Sequence, residues 1–189
     1  VVKGTAVYTA DFTPTTESLT AVTYTTFLLG GAPYLVDAST SAHSFTESGG
    51  DYTFKPTGPY DYSPYSSAAN GGSMSFDGTG DYLNISNDAS LSFGTGEFTF
   101  EFWMYRTAKN GTYQSIVSAL DESGTGAQMG FFAHSTDTIQ FYSSNGNLHI
   151  TSNTIKSNTW HHICATRNSS SVLKIYIDGI EGYSATITD

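Results

Sequence analysis

A single cysteine, Cys164, stands in the 189 residues, so no disulfide can form within the chain and packing and hydrogen bonds must hold the fold. Its neighbours, WHHICATR, read as a strand; with no Cys–His catalytic signature around it, the thiol is expected to act as a small buried hydrophobe. Charge is scarce: Asp, Glu, Lys and Arg make up 13% of the chain, about half the roughly 25% usual for globular domains. Basic residues are scarcer still, seven Lys plus Arg against seventeen Asp plus Glu, and the formal net charge of -10 argues against a nucleic-acid backbone or an anionic membrane surface as partner. No apolar run approaches the roughly 20 residues that span a bilayer, so membrane insertion by a helix is not expected. The opening VVKGTAVYTADF is neither a signal peptide nor a start methionine. Nowhere does a 3.6-residue apolar period persist for more than a turn, and helical classes are set aside.

Present in abundance are Gly (19 residues), Tyr (13) and Phe (12), among many Ser and Thr, the composition of a β-rich, extracellular style of surface. A chain of this length makes one domain, or one domain and a piece of another, with a substantial core. The stretch Ser73–Arg106, SMSFDGTGDYLNISNDASLSFGTGEFTFEFWMYR, organises the rest. Within it Phe98, Phe100, Phe102 and Met104 share one parity while Thr99, Glu101, Trp103 and Tyr105 share the other, the period-two pattern of a strand. Four large apolar side chains on one face must be buried against another sheet.

Strand and turn signals recur on both sides of this block. Val1–Phe12 reads as an apolar strand leading into the Thr/Pro-rich connector TPTTESLT. Residues 1–20 are therefore expected to be a terminal strand and linker, the tail of a preceding module, and 21–189 a module incomplete at its C-terminus. Val1–Tyr8 is expected to fill an open sheet edge, in its own chain or in a neighbouring subunit. Between Thr25 and Phe54 the pieces FLL, APYLV and HSFT are broken by Gly30, Gly31 and Pro33, which suggests edge strands with bulges. Lys55–Gly72 is a loop in which Pro56, Pro59 and Pro64 interleave with Tyr60, Tyr62 and Tyr65; these rings either pack as a lid over the sheet edge or are presented to a sugar or a protein. Gln114–Leu120 and Met129–Ala133 read as strands around the Gly-rich DESGTGAQ, which does not match the dinucleotide fingerprint. Thr138–Tyr142 and Leu148–Thr151 flank an Asn145-Gly146 tight turn, and Trp160–Arg167 and Val172–Asp178 form a last pair with Asp178-Gly179 opening a further turn. The chain is all β.

Few constellations carry chemistry. His161 and His162 are adjacent, so in a strand they point to opposite faces and cannot grip one metal; one is expected at the core edge and the other in solvent. His43, His134 and His149 are scattered, and no serine stands in a nucleophile-elbow context, so no hydrolase triad is expected. Sequons at Asn84, Asn110 and Asn168 arise readily by chance in so Asn/Ser/Thr-rich a chain. Calcium is the more plausible cofactor, because hard cations use the Asp, Asn and backbone oxygens that loops supply at Asp37, Asp77, Asp81 and Asp178.

In order and spacing, FDGTGDYLNIS, GTGEFTFEFWMYR, NTWHHICATR and LKIYIDGIEG resemble the laminin-G-like branch of the concanavalin-A-like jelly rolls, over roughly Leu28 to the C-terminus. The resemblance implies a two-sheet antiparallel β-sandwich of jelly-roll type. It also directs attention to Glu97 and Glu101, since some glycosidases of this superfamily carry two catalytic glutamates on one strand face with an aspartate between them. Here the two share parity but lie roughly 13 Å apart along a strand, beyond the roughly 5 to 9.5 Å that either glycosidase mechanism uses. Thr99, not an acid, stands between them, and Glu101 is expected as an exposed strand residue. Related modules often bind calcium through the early loop that VDASTSAHS resembles, which nominates Asp37.

FDGTGDYL, GTGEFTFEFW and VVKGTAVYTADFTP further resemble laminin-G-like modules of bacteriophage tail fibres and other virion structural proteins, notably of aquatic phages. The expectation is a non-catalytic recognition module, extracellular or on a virion, whose Tyr60, Tyr62 and Tyr65 meet a cell-surface glycan or receptor, with calcium as cofactor. The alternative is a purely structural assembly or decoration module packing against other virion or surface subunits as a homo-oligomer or tandem array. Glycoside hydrolysis is the third reading, and the acid pair it needs is missing.

Overall fold

The computed structural model describes residues 1–15, 19–29, 37–48, 53–55, 72–86, 88–109, 111–120, 127–143 and 147–188. Tyr60, Tyr62 and Tyr65, the Gly-rich 121–126 loop and Asn145-Gly146 lie outside the described residues. Two compact units are present: residues 1–4 with 15–93, and residues 5–14 with 94–189.

The first unit contains strands β1 (Val2–Lys3), β2 (Phe45–Ser48), β3 (Thr53–Lys55), β4 (Ser73–Ser75) and β5 (Tyr82–Ile85). β2 pairs antiparallel with β5, and β3 with β4. Isolated bridges join Val2 to Thr25 and Leu29 to Asp37, so the edge pieces of this stretch that are described form short bridges and two brief strands, while Gly30, Gly31, Pro33 and the APYLV piece lie outside the described residues. The FDGTGD string is a turn: Asp77 Oδ1 accepts from Thr79 N at 2.6 Å and Asp81 Oδ2 from Asp77 N at 3.1 Å, with Gly78 and Gly80 at φ of 88° and 82°. A 3₁₀ turn, Ala89–Leu91, is capped by Asp88, whose Oδ1 accepts from Ser90 N at 2.8 Å.

The second unit is the sandwich. Its strands are β6 (Phe98–Tyr105), β7 (Tyr113–Leu120), β8 (Ala127–His134), β9 (Thr138–Tyr142), β10 (Leu148–Thr154), β11 (Trp160–Arg167), β12 (Val172–Ile177) and β13 (Ile180–Thr186). One antiparallel sheet runs in the order β6-β11-β12-β13 and the other in the order β10-β9-β8-β7. Register carries the parity of β6 across its sheet: Phe102 faces Ile163 and then Ile177, Phe100 faces Ala165 and then Ile175, and Phe98 faces Arg167 and then Leu173. These rows point inward and are met by Phe131, Ala133, Ile139 and Phe141 of the second sheet, all buried. The rings interlock, with centroids 5.1 Å apart for Phe100–Phe131, 5.3 Å for Phe102–Phe131, 4.9 Å for Phe131–Phe141 and 6.2 Å for Phe98–Phe141. Of the four, Phe98 and Phe100 are buried, whereas Phe102 and Met104, toward the end of the strand, are only half-buried. At one edge His149 joins β10 to β13 through Tyr183 Oη, 2.8 Å from its Nδ1. Nearby, Gly182 passes so close that a Cβ would stand 1.9 Å from Asn153 Oδ1. The Asp178-Gly179 turn is present, with φ of 53° and 81°, the doubly positive geometry of a two-residue hairpin. It leads into β13, which the sequence patterns do not single out.

The strand expected over Val1–Tyr8 is realised only at Val2–Lys3. Thr5–Pro14 instead crosses the outer face of the first sheet as a strap that meets β6, β11, β12 and β13 in turn. Its bonds follow the strand order. Thr99 Oγ1 on β6 accepts from Val7 N at 2.7 Å, Thr166 Oγ1 on β11 donates to Tyr8 O at 3.0 Å, and Lys174 Nζ on β12 donates to Thr9 O at 3.1 Å. Beyond them Asp11 Oδ1 accepts from Glu181 N on β13 at 3.0 Å, and Phe12 N donates to Gly179 O at 3.0 Å. The rings of Tyr8 and Phe12 stack at 3.7 Å, and Phe12 stands edge-on to His162 and Tyr176.

The strap corrects two expectations. His161 and His162 do point to opposite faces, but both are buried: His162, at 1% exposure, lies under the strap, which closes what would have been a solvent face. Glu101 is half-buried rather than exposed, 3.1 Å from His162 Nε2. Cys164 is buried as expected, its thiol pushed up by burial first and by the Glu101 charge second.

Each interlocked ring pair contributes about 0.5–1.5 kcal/mol beyond its buried area. Phe100→Ala is expected to cost about 3–5 kcal/mol in urea unfolding. A loss below about 1 kcal/mol would mean that the seam is not the core.

Candidate functional site

Asp37, nominated as a calcium ligand, sits in a loop of the first unit and is buried. Its Oδ1 accepts from Leu28 N and Ser39 N, each at 2.9 Å, and its Oδ2 from Ser39 Oγ at 2.9 Å, His43 N at 3.0 Å and His43 Nδ1 at 2.6 Å. A calcium site gathers oxygen acceptors around a cation; here donors of the protein gather around a carboxylate. Among the described residues no group of three or more His, Cys, Asp and Glu is placed to hold a metal ion. The described surroundings of Asp37 do not fit a hard cation.

The imidazole of His43 continues the chain, with Nε2 2.9 Å from Ser90 Oγ. Carboxylate, imidazole and hydroxyl thus stand in the order of a nucleophilic triad, which sequence spacing did not disclose because Ser90 lies 47 positions beyond His43. Two amides that could stabilise an oxyanion at Ser90 are already spent: Ser90 N donates to Asp88 Oδ1, and Leu91 N to Asp88 O at 3.0 Å. The relay ties the Asp37–His43 loop to the capped 3₁₀ turn.

In the second unit, functional groups collect at the end of the sandwich where β6, β8, β10 and β12 finish. Two ring pairs stand there, one on each outer face. Tyr105 (44% exposed) lies 5.5 Å from Trp160, and Tyr113 (51% exposed) lies 5.0 Å from His134 in an edge contact. Between them the loops are fixed by ion pairs. Buried Arg106 reaches the Asp137 carboxylate and donates to His134 O at 3.3 Å, and Lys109 bonds the same carboxylate. The hydrogen bond from Lys109 first, with desolvation opposing it and Arg106 adding to it, holds the Asp137 carboxyl below its usual range. Asn158 N donates to Arg106 O at 2.8 Å, and Ile155 N to Asp137 O at 2.9 Å. Lys156 N donates to His161 Nε2 at 2.8 Å, which leaves Nδ1–H to bond Asp178 Oδ2 at 2.7 Å. Asp137 and Asn158 hold positive φ values of 69° and 58°, local conformations that Asp and Asn tolerate better than most residues. The only sequence signal for this rim is aromatic residues at strand ends next to Asp/Asn turns.

At Asp37, burial opposes ionisation, but the amides of Leu28, His43 and Ser39 and the His43 ring together outweigh it and hold the carboxyl well below the usual range. A carboxyl that titrates lower when folded stabilises at pH above its unfolded value of about 3.9, and the contribution is lost as pH falls below that. Asp37→Ala is expected to cost about 1–3 kcal/mol and to remove the exchange protection of the Ser39 and His43 amides measured by NMR. In the wild type the same protection should fall progressively below about pH 4. Protection unchanged in the variant would contradict the arrangement.

Residues 77–189, well over half of the chain, match the family described as the Concanavalin A-like lectin/glucanases superfamily, in its laminin-G form. No curated protein matches the chain in sequence. Among solved structures the chain is similar to one of botulinum neurotoxin type C, whose cell entry is dependent upon interaction with two ganglioside molecules. The TM-score is 0.59 and the identity 17%, over 87% of this chain and 39% of that one. The chain thus spans about two fifths of that structure's length, and at this identity the likeness bears on fold. With its two antiparallel sheets and the match over 77–189, the chain belongs to the concanavalin A-like lectin/glucanases superfamily.

Proposed function

We propose that the protein is a non-catalytic recognition module that binds carbohydrate at the loop end of its sandwich, as part of a virion or cell-surface assembly. The observation that carries this reading is the two ring contacts at strand ends, Tyr105–Trp160 and Tyr113–His134, beside loops fixed by Arg106, Lys109 and Asp137. Aromatic faces stack on the C–H surfaces of sugars, and fixed polar groups around them supply orientation. The lectin-like family and a similar structure from a protein whose cell entry depends on gangliosides support a sugar partner. The non-catalytic half of the reading is supported by the spent amides at Ser90 and by the Thr99 that separates Glu97 from Glu101. The virion setting rests on the likeness of FDGTGDYL and GTGEFTFEFW to tail-fibre modules, and a homo-oligomer or tandem array is the expected form there.

A printed glycan array probed with the labelled protein tests the reading. Binding is expected both with calcium and with chelator, since the carboxylates of Asp37, Asp137 and Asp178 are already satisfied by donors of the protein. An array blank under both conditions would remove carbohydrate recognition, and binding confined to the calcium arm would return a metal to the site.

A further inference from the structure

His161 closes a hydrogen-bond chain at the rim that holds only while its ring is neutral. Its Nε2 accepts from Lys156 N at 2.8 Å, and its Nδ1 stands 2.7 Å from Asp178 Oδ2. A backbone N–H donates and never accepts, so the nitrogen facing Lys156 must keep its lone pair and the one ring proton lies on Nδ1. The carboxylate is itself fixed, since Asp178 Oδ1 accepts from His162 N at 2.9 Å. His149 differs in this respect: its nitrogens face Ser143 Oγ and Tyr183 Oη, hydroxyls that accept or donate as the ring requires.

The groups around the His161 ring decide what a second proton does. Opposite it on β6 stands Met104, without charge. The turn after β12 brings the Asp178 carboxylate beside Nδ1, where it accepts from the ring in either charge state. The loop between β10 and β11 brings Lys156, whose side chain is exposed while its amide is turned to the ring. Glu101 serves His162 on the opposite face of β11. A second proton must therefore add at Nε2, where the acceptor becomes a donor aimed at the Lys156 N–H. Because His161 is buried, solvent replaces the lost partners only if the loop moves.

That loop ties the two sides of the rim together. Ile155 N donates to Asp137 O and Asn158 N to Arg106 O, and Trp160, against Tyr105, follows directly. We infer that the His161–Lys156 bond is an acid-operated latch: neutral His161 holds residues 155–160 in the rim, and uptake of a proton from solvent at Nε2 frees them, so that bound sugar is released in mildly acidic surroundings. Imidazole chemistry suits such a switch, because its charge change falls between about pH 5 and 8. The inference rests on the carbohydrate reading above and adds its regulation.

NMR across about pH 8 to pH 5 tests it, with and without a sugar that binds on the array. At the alkaline end the His161 nitrogen shifts should show Nδ1 protonated and Nε2 bare. On acidification the Lys156 and Asn158 amides should shift and lose exchange protection with the midpoint of the His161 ring. His161→Gln supplies an amide oxygen that accepts from Lys156 N and takes up no proton, and its Lys156 amide should show no such step. Asp178→Asn keeps an acceptor for Nδ1–H but removes the counter-charge of the protonated ring, and should move the midpoint to lower pH. Wild-type affinity for the sugar is expected to fall about tenfold across the midpoint, the equivalent of one lost hydrogen bond. A Lys156 amide indifferent to the ring's titration, a ring protonated at Nε2 at the alkaline end, or a midpoint unmoved by Asp178→Asn would overturn the latch. Affinity level across the midpoint would overturn its part in release and leave the carbohydrate reading intact. A wild type that binds no sugar at any pH would bring down that reading, and the Lys156 amide would still decide the latch.

Discussion

The interlocked rings of Phe98, Phe100 and Phe102 against Phe131 and Phe141 are the contact on which the sandwich depends. No disulfide is available to bind the two sheets, so their spacing and register rest on this seam and on the aliphatic rows behind it, Ile163 with Ile177 and Ala165 with Ile175. Side chains alternate along a strand, and fixing the inward rows therefore also fixes which residues face outward. Everything that could touch a ligand in this unit is displayed as the complement of its core.

The two outer faces have different fates. On the first sheet, Glu101, His162, Cys164 and Tyr176 would present a mixed polar and aromatic surface, but Thr5–Pro14 lies across it and turns it into a second interior. The strap is held by side-chain hydroxyls and a lysine rather than by ladder bonds, and Gly179 admits it: a Cβ there would stand 1.7 Å from Phe12 O. On the second sheet Leu148 and Ile150 expose apolar surface, while Phe132 and Tyr142 are half-buried. Recognition by this unit is accordingly proposed for the rim.

What could be read from residues alone was local. The parity of Phe98–Tyr105 settled the inward rows, and the Asp178-Gly179 pair marked its hairpin. Neighbouring His161 and His162 were correctly assigned to opposite faces, yet the burial of His162 depends on residues more than a hundred positions away, which no local pattern encodes. Asp37 stood out as a loop carboxylate, but its role was decided by donors from Leu28, His43 and, through His43, Ser90. The tyrosines nominated in the Pro-rich loop lie outside the described residues.

Mapping where a sugar touches the protein tests the account most directly. With a bound oligosaccharide, cross-saturation NMR from sugar to protein should reach the rim, at the amides of Tyr105, Trp160, Tyr113 and His134. Tyr8, Phe12 and Tyr176, enclosed by the strap, should stay unaffected. Saturation confined to Tyr8, Phe12 and Tyr176 beneath the strap, or to the first unit, would contradict recognition at the rim.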